Sequence, residues 1–253
     1  MKTRLLLVLA LVLSASACNS QPALVPNSVL IPMSAQAYEE ETAKFPIITS
    51  GAQYDMVQRI GARIAAASAL EADWEFRLLD APDVVNAFAM PGGKVAVYTG
   101  ILAVTQNEDA LAAVMGHEVA HVTEEHGNKR MTQAIGQQAL LIGADVFLDW
   151  KGMGDDTKGL VLGSLGVGSE LGVKAFSRGH ESEADEIGLR FLVRSGYDPN
   201  EAPLLWERMA QLSGGSSDPF QQLLATHPEP LERAARLREL IPEIVAQEGP
   251  ARP

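Results

Sequence analysis

His117-Glu118-Val119-Ala120-His121 is the stretch from which the organisation of this chain can be read. Two imidazoles four positions apart on a helix share one face, with Cβ atoms about 5–6 Å apart. Both can reach one ion at roughly 2.0–2.1 Å, and Glu118 lies beside them with a carboxylate that can take a proton from a bound water. With 5 His and 32 acidic residues among 253, an acid-flanked pair at this spacing arises by chance on the order of once in a hundred such chains. Two solvated surface histidines are the competing interpretation, and the surroundings argue against it. Leu111, Ala112, Val114, Met115, Val119 and Ala120 make the segment largely apolar, where unpaired polar side chains are costly.

A catalytic zinc needs a third protein ligand and an open position for water. A third histidine at 127 behind a glycine at 124 would close a metzincin motif, but Glu124 and Gly127 stand there. The lone cysteine, Cys18, is remote. Glu181-Ser182-Glu183-Ala184-Asp185 is the better source. Glu181 and Asp185 share a helix face, so Glu181 can ligate while Asp185 accepts the free N–H of a ligating histidine and fixes its tautomer. Glu183 is the alternative ligand. His126, at the expected end of the motif helix, suits a cation at a helix C-terminus and reads as structural. His180 reads as a cap or surface residue.

Around this pair the periodicities predict an α+β domain, mostly helical, with a small antiparallel sheet. Residues 54–70 repeat apolar positions at helical spacing (Met56, Val57, Ile60, Ile64). Trp74 to Leu78 alternates as a strand, Val84 to Met90 is a second extended run, and Lys94 to Thr99 a third beyond the Pro91-Gly92-Gly93 turn. The motif helix begins near Asn107, with Glu108 and Asp109 suiting its positive end, and Gly127 offers a stop. Residues 131–176 are rich in Gly and Ala and read as two closely packed helices with a loop, or as a lid. Helices follow over 181–195, 203–212 and 229–245, the last with Leu231, Ala234, Leu237, Leu240 and Ile241 as its buried stripe.

The N-terminus reads as an export signal over residues 1–17. Lys2 and Arg4 precede an apolar run from Leu5 to Leu13, and Ala15-Ser16-Ala17 offers a cleavage site before Cys18. This resembles a bacterial lipoprotein signal with Cys18 as the lipidated residue, and soluble secretion is the alternative. Residues 18–36, rich in Pro, Ser, Asn and Gln, read as a tether, which leaves 37–253 for the domain. The expected location is the periplasmic side of a bacterial membrane, lipid-anchored, at the outer membrane. A net charge of −12 excludes a nucleic-acid partner held by phosphate contacts.

His-Glu-x-x-His followed by Glu-x-x-Ala-Asp, with Asn86-Ala87-Phe88-Ala89-Met90-Pro91-Gly92-Gly93 upstream, Ser177-Arg178 ahead of Glu181 and Thr226-His227-Pro228 downstream, resembles the HtpX and CAAX-prenyl-protease group of gluzincin metallopeptidases. Length and signal make it most similar to the small periplasmic branch that includes LoiP and BepA. The resemblance covers roughly residues 50–240. It implies one Zn2+ held by His117, His121 and Glu181, with Glu118 as the catalytic base. It implies polypeptide substrates, unfolded envelope proteins among them, paired along a strand near Asn86 and Ala87. It also places His227 near the metal, as an oxyanion donor or a fourth ligand that keeps the enzyme latent. The rival expectation is a zinc-containing lipoprotein acting as a chaperone or assembly factor.

Overall fold

A computed structural model describes residues 21–142, 176–212, 223 and 227–249. The expected signal, Cys18 and the greater part of the Gly/Ala-rich segment lie outside those residues. The chain runs α1 (Asn27–Thr42), β1 (Ile47–Ile48), α2 (Ala52–Ser68), β2 (Glu75–Leu79), β3 (Ala87–Met90), β4 (Lys94–Tyr98), a short α3 (Leu102–Thr105), α4 (Glu108–Thr123), α5 (His126–Ile142), α6 (Arg178–Ser195), α7 (Glu201–Leu212) and α8 (Pro230–Glu248).

The α+β organisation is present, but the sheet is mixed. Its order is β1-β2-β4-β3, with β2 and β4 parallel and the outer pairs antiparallel. Of the three strands expected in an antiparallel sheet, only β3 and β4 form a hairpin. That hairpin docks with β4 inward, so β3 becomes the edge. Both faces of β4 are covered. Val95 and Val97 face the helices α2, α4 and α6, while Ala96 and Tyr98 face α1 and Met131. A strand buried on both sides reads as a continuous apolar run rather than a strict alternation.

The expected tether is corrected over residues 27–36, which form the first part of α1. Leu30, Ser34, Ala37 and Tyr38 of this helix are buried on the sheet, and the Tyr38 hydroxyl donates to the Val95 carbonyl at 2.7 Å. Its polar composition hid an apolar stripe short enough to escape periodicity. Just before it, Asn128 of α5 clamps the main chain of Val25. Its Oδ1 accepts from the Val25 N–H at 3.1 Å and its Nδ2 donates to the Val25 carbonyl at 2.9 Å. In α8 the buried stripe starts at Ala234, because Leu231 in the first turn is 63% exposed.

The motif helix α4 starts as expected, with Asn107 accepting from the Ala110 N–H at 2.7 Å. It ends earlier than expected. Glu125 takes a left-handed φ of 54° and α5 begins at His126, so Gly127 is not the stop. From Ala110 to His121 every residue of α4 is buried.

What lets α4 lie so deep is a glycine contact with α6. A Cβ at Gly188 would stand 3.0 Å from the His117 nitrogen and 3.1 Å from the Gly116 carbonyl carbon. A Cβ at Gly116 would stand 3.2 Å from the Gly188 oxygen. The two backbones therefore meet without side chains between them, one residue from His117. Gly188→Ala forces backbone apart and is expected to cost about 1–3 kcal/mol, read from the urea midpoint of the purified protein. A midpoint equal to the unsubstituted chain would show that the contact can relax freely.

Candidate metal centre

The crossing of α4 and α6 brings His117 and His121 opposite Glu181, and the loop before α8 adds His227. One ligand atom from each of these four buried residues lies within 4.8 Å of all the others. The Nε2 atoms of His117 and His121 are 3.0 Å apart. Glu181 places Oε2 at 3.4 Å from the first and Oε1 at 3.5 Å from the second. The Nδ1 of His227 stands 3.3 Å from the His117 Nε2 and 3.0 Å from the Glu181 Oε2.

These distances fit a zinc ion. Two atoms each about 2.0–2.1 Å from a tetrahedral centre are roughly 3.4 Å apart. Imidazole and carboxylate donors are the set that zinc takes when cysteine is missing. Bare of such an ion, several of these nitrogen lone pairs would face one another in a buried space, which is a costly arrangement.

Each of the two motif rings also has a partner at its Nδ1. The Nδ1 of His117 stands 3.1 Å from the Asp185 Oδ1, an acceptor for an Nδ1–H, and the Arg233 Nη2 lies 3.2 Å from that nitrogen and 3.3 Å from Nε2. Arg233 of α8 in turn grips Asp185 through Nε at 2.8 Å and Nη2 at 2.5 Å. It lies flat on Trp206, 3.6 Å from the ring centre. Its Nη1 is 2.9 Å from Glu181, although not aligned as a hydrogen bond. Neither Arg233 nor Trp206 is visible in the local motifs, because α7 and α8 deliver them from far along the chain.

His121 is held differently. Its Nδ1 lies 2.8 Å from the His126 Nδ1, and the His126 Nε2 lies 3.1 Å from a Glu183 oxygen. With His126 neutral, its Nδ1 accepts from His121 and its Nε2–H donates to Glu183. Burial drives the basicity of His126 down to about 4, against the pull of Glu183, and that keeps it neutral. The same cause lowers His121 well below the usual imidazole range. His126 is thus part of the site rather than a helix-end cation. Glu183, the alternative ligand, is bound to His126 and lies outside the four-donor cluster. Phe176 stacks on His121 with ring centres 3.9 Å apart, and the Arg130 guanidinium lies over the Phe176 ring, 4.2 Å from its centre. His180, expected as a cap or surface residue, is buried and stacked on His126 at 4.4 Å.

Glu118 is buried beside the donors, with Oε1 at 3.5 Å from the His227 Nε2. Burial raises its carboxyl above the ordinary value, outweighing the pull of His227 and His117. Glu181 goes the other way. Burial opposes its ionisation, but His227 and Arg233 hold it well below the carboxylate range. Two carboxyl groups in one pocket thus differ in proton affinity, one suited to stay ionised and one to exchange a proton.

The strand expected to align a substrate, near Asn86 and Ala87, is at the sheet edge. The Tyr98 N–H bonds to the Asn86 carbonyl at 3.1 Å, so antiparallel alternation turns the main-chain groups of Ala87 and Ala89 outward. The Asn86 side chain caps one of these, accepting from the Ala87 N–H at 3.0 Å.

A buried His-Glu-x-x-His helix crossed by a carboxylate-bearing helix, beside an edge strand that has no outer strand partner among the described residues, is the arrangement of a zinc-type peptidase centre. The chain belongs to peptidase family M48, whose family model matches residues 52–241. It is 36% identical over 188 residues to the mitochondrial metalloendopeptidase OMA1 of Schizosaccharomyces pombe, covering 74% of this chain and 52% of that protein. It is 32% identical over 204 residues to the beta-barrel assembly-enhancing protease of Escherichia coli K12, covering 76% of this chain and 40% of that protein. The Arabidopsis thaliana OMA1 matches at 34% over 177 residues, covering 69% of this chain and 33% of that protein. This chain therefore spans about half or less of the length of these relatives.

Replacing His126 by Ala frees the His121 ring and is expected to weaken zinc binding about 10–100-fold. Competition with a coloured chelator measures this, and unchanged affinity would remove His126 from the support of the site.

Proposed function

We propose that this chain is a zinc-dependent metalloendopeptidase that hydrolyses peptide bonds in misfolded or misassembled proteins of the bacterial cell envelope. The observation that carries the proposal is the convergence of His117, His121 and Glu181 from two helices, with the buried carboxyl of Glu118 alongside. In this reading the three are the zinc ligands, and Asp185 orients His117. Zinc bound there would supply Lewis acidity, polarising the scissile carbonyl and acidifying a water. Glu118 takes the proton of the attacking water and delivers it to the leaving amine. Its raised proton affinity suits both halves of that task at neutral pH. Ala87 and Ala89 align the substrate by main-chain bonds, which require no particular sequence.

His227 has a regulatory place in this proposal. Its Nδ1 sits among the donors, where a catalytic zinc keeps a position for water. While it stays there the site has four protein donors and is latent. Displacing it opens the site.

The envelope setting is supported by the export signal read from residues 1–17 and by likeness to a protease named for β-barrel assembly. Anchoring through Cys18, the outer membrane, and placement in the small HtpX-like periplasmic branch belong to the same proposal. The likeness to mitochondrial OMA1 argues for the shared catalytic centre rather than for one compartment.

Glu118→Gln should keep its zinc and lose casein cleavage by about 10²–10⁴-fold, and chelator should abolish cleavage in the unsubstituted protein. A chaperone or assembly factor would keep its biological activity in that variant, and retained cleavage would refute the peptidase reading. His227→Ala should raise basal cleavage with zinc content unchanged, measured by casein assay and elemental analysis. Unchanged turnover and zinc content together would remove His227 from the mechanism.

A further inference from the structure

A cavity of about 250 Å3 is lined by His121 and by Ala89 of β3, the edge strand that has no outer strand partner among the described residues. Sites that enclose a whole small ligand run to roughly 300–1,000 Å3, so this one matches a side chain better than a separate molecule. His121 and Phe176, stacked on each other, form part of its wall. Ala89 of β3 lines it beside Leu70, Ala72 and, from α1, Ile31. Ile31 and Leu70 remain 40% and 38% exposed, although both border a concave apolar surface next to the donor cluster. The rim is charged with one sign. Glu71 and Glu125 both line the cavity, and none of its lining residues is Lys or Arg. Neither carboxylate has an ion-pair partner among the described residues. Glu125 is also held at a left-handed φ of 54°, a backbone state that non-glycine residues keep mostly where surrounding structure enforces it.

An extended peptide laid on β3 presents every second side chain to the same side. The outward main-chain groups of Ala87 and Ala89 set its line, and a cavity beside that line reads one side chain of it. We infer that this cavity is a specificity subsite that takes one bulky apolar side chain of an extended polypeptide, with an adjacent Lys or Arg drawn by Glu71 and Glu125. The inference rests on the peptidase reading for the cleavage it predicts, but the binding it predicts can be measured without turnover.

The probes are fluorescein-labelled peptides carrying Phe-Lys, Ala-Lys or Phe-Glu at one place in a Gly/Ser background. They are titrated into the zinc-loaded full chain bearing Glu118→Gln and, separately, incubated with the unsubstituted chain. Phe-Lys is expected to bind at least about tenfold more tightly than Ala-Lys. Ala72→Phe, which fills the cavity, should bring that ratio to about one. Leu70→Trp is a second filling variant should the first fail to fold, as judged by its thermal midpoint. Glu71→Lys should remove the preference for Phe-Lys over Phe-Glu. Equal binding of Phe-Lys and Ala-Lys, or a ratio unchanged in the folded filling variant, overturns the subsite. Selective binding without cleavage of any peptide upholds the subsite and defeats the peptidase reading. Cleavage of all three peptides at equal rates upholds the peptidase and defeats the subsite.

Discussion

The close approach of α4 and α6 at Gly116 and Gly188 is the constraint on which the site depends. Side chains on crossing helices ordinarily hold axes about 8–10 Å apart. Here a Cβ on either glycine would press on the other helix's backbone at 3.0–3.2 Å. The reach of a glutamate is short, and only this separation lets Glu181 on one helix share a centre with His117 and His121 on the other. Packing geometry therefore precedes chemistry. The donors do not draw the helices together so much as occupy the gap that two missing side chains leave.

Charge follows from that burial. Glu181 and Asp185 are carboxylates with almost no water contact, and isolated ions in such a place would be costly. Arg233 answers both, with its flat face on Trp206 and its edge toward the acids. The rings respond to the same environment with opposite outcomes. Burial lowers His117, yet its bonds to Asp185 and Glu181 prevail and raise it to about 9. His121, whose outer partner is a neutral imidazole, is pushed down instead. One ring is thus backed by an anion and the other by a relay ending on a half-exposed glutamate. The two donors are chemically unlike although the motif makes them look equivalent.

What could be read from the sequence is what depends on short separations. His117, Glu118 and His121 form one helical turn, and Glu181 with Asp185 another, so residue type and spacing carried most of their meaning. The strands over 75–79 and 94–98 were legible for the same reason, whereas the second begins at Ala87 rather than Val84 and the two-residue β1 gave no pattern. Three kinds of feature were not. The parallel pairing of β2 with β4 joins segments separated by β3, and no local pattern records which side of β4 the hairpin takes. The His121–His126–Glu183 relay needs a helix end at Glu125, where a left-handed residue other than glycine leaves no signal in composition. The helix α1 was masked by Pro32 and its Ser, Asn and Gln neighbours, although Leu30 and Tyr38 anchor it to the sheet. Signals that involve three bodies, or one unusual backbone angle, lie beyond periodicity.

His227 and Arg233 follow Glu181 by 46 and 52 positions in the chain order, yet both complete the same centre. Ribosomes make the motif helix and the carboxylate helix first, at about 5–20 residues per second. Until α8 has docked, the acids of α6 lack the guanidinium that balances them, so the centre is completed only when the C-terminal helix closes on it.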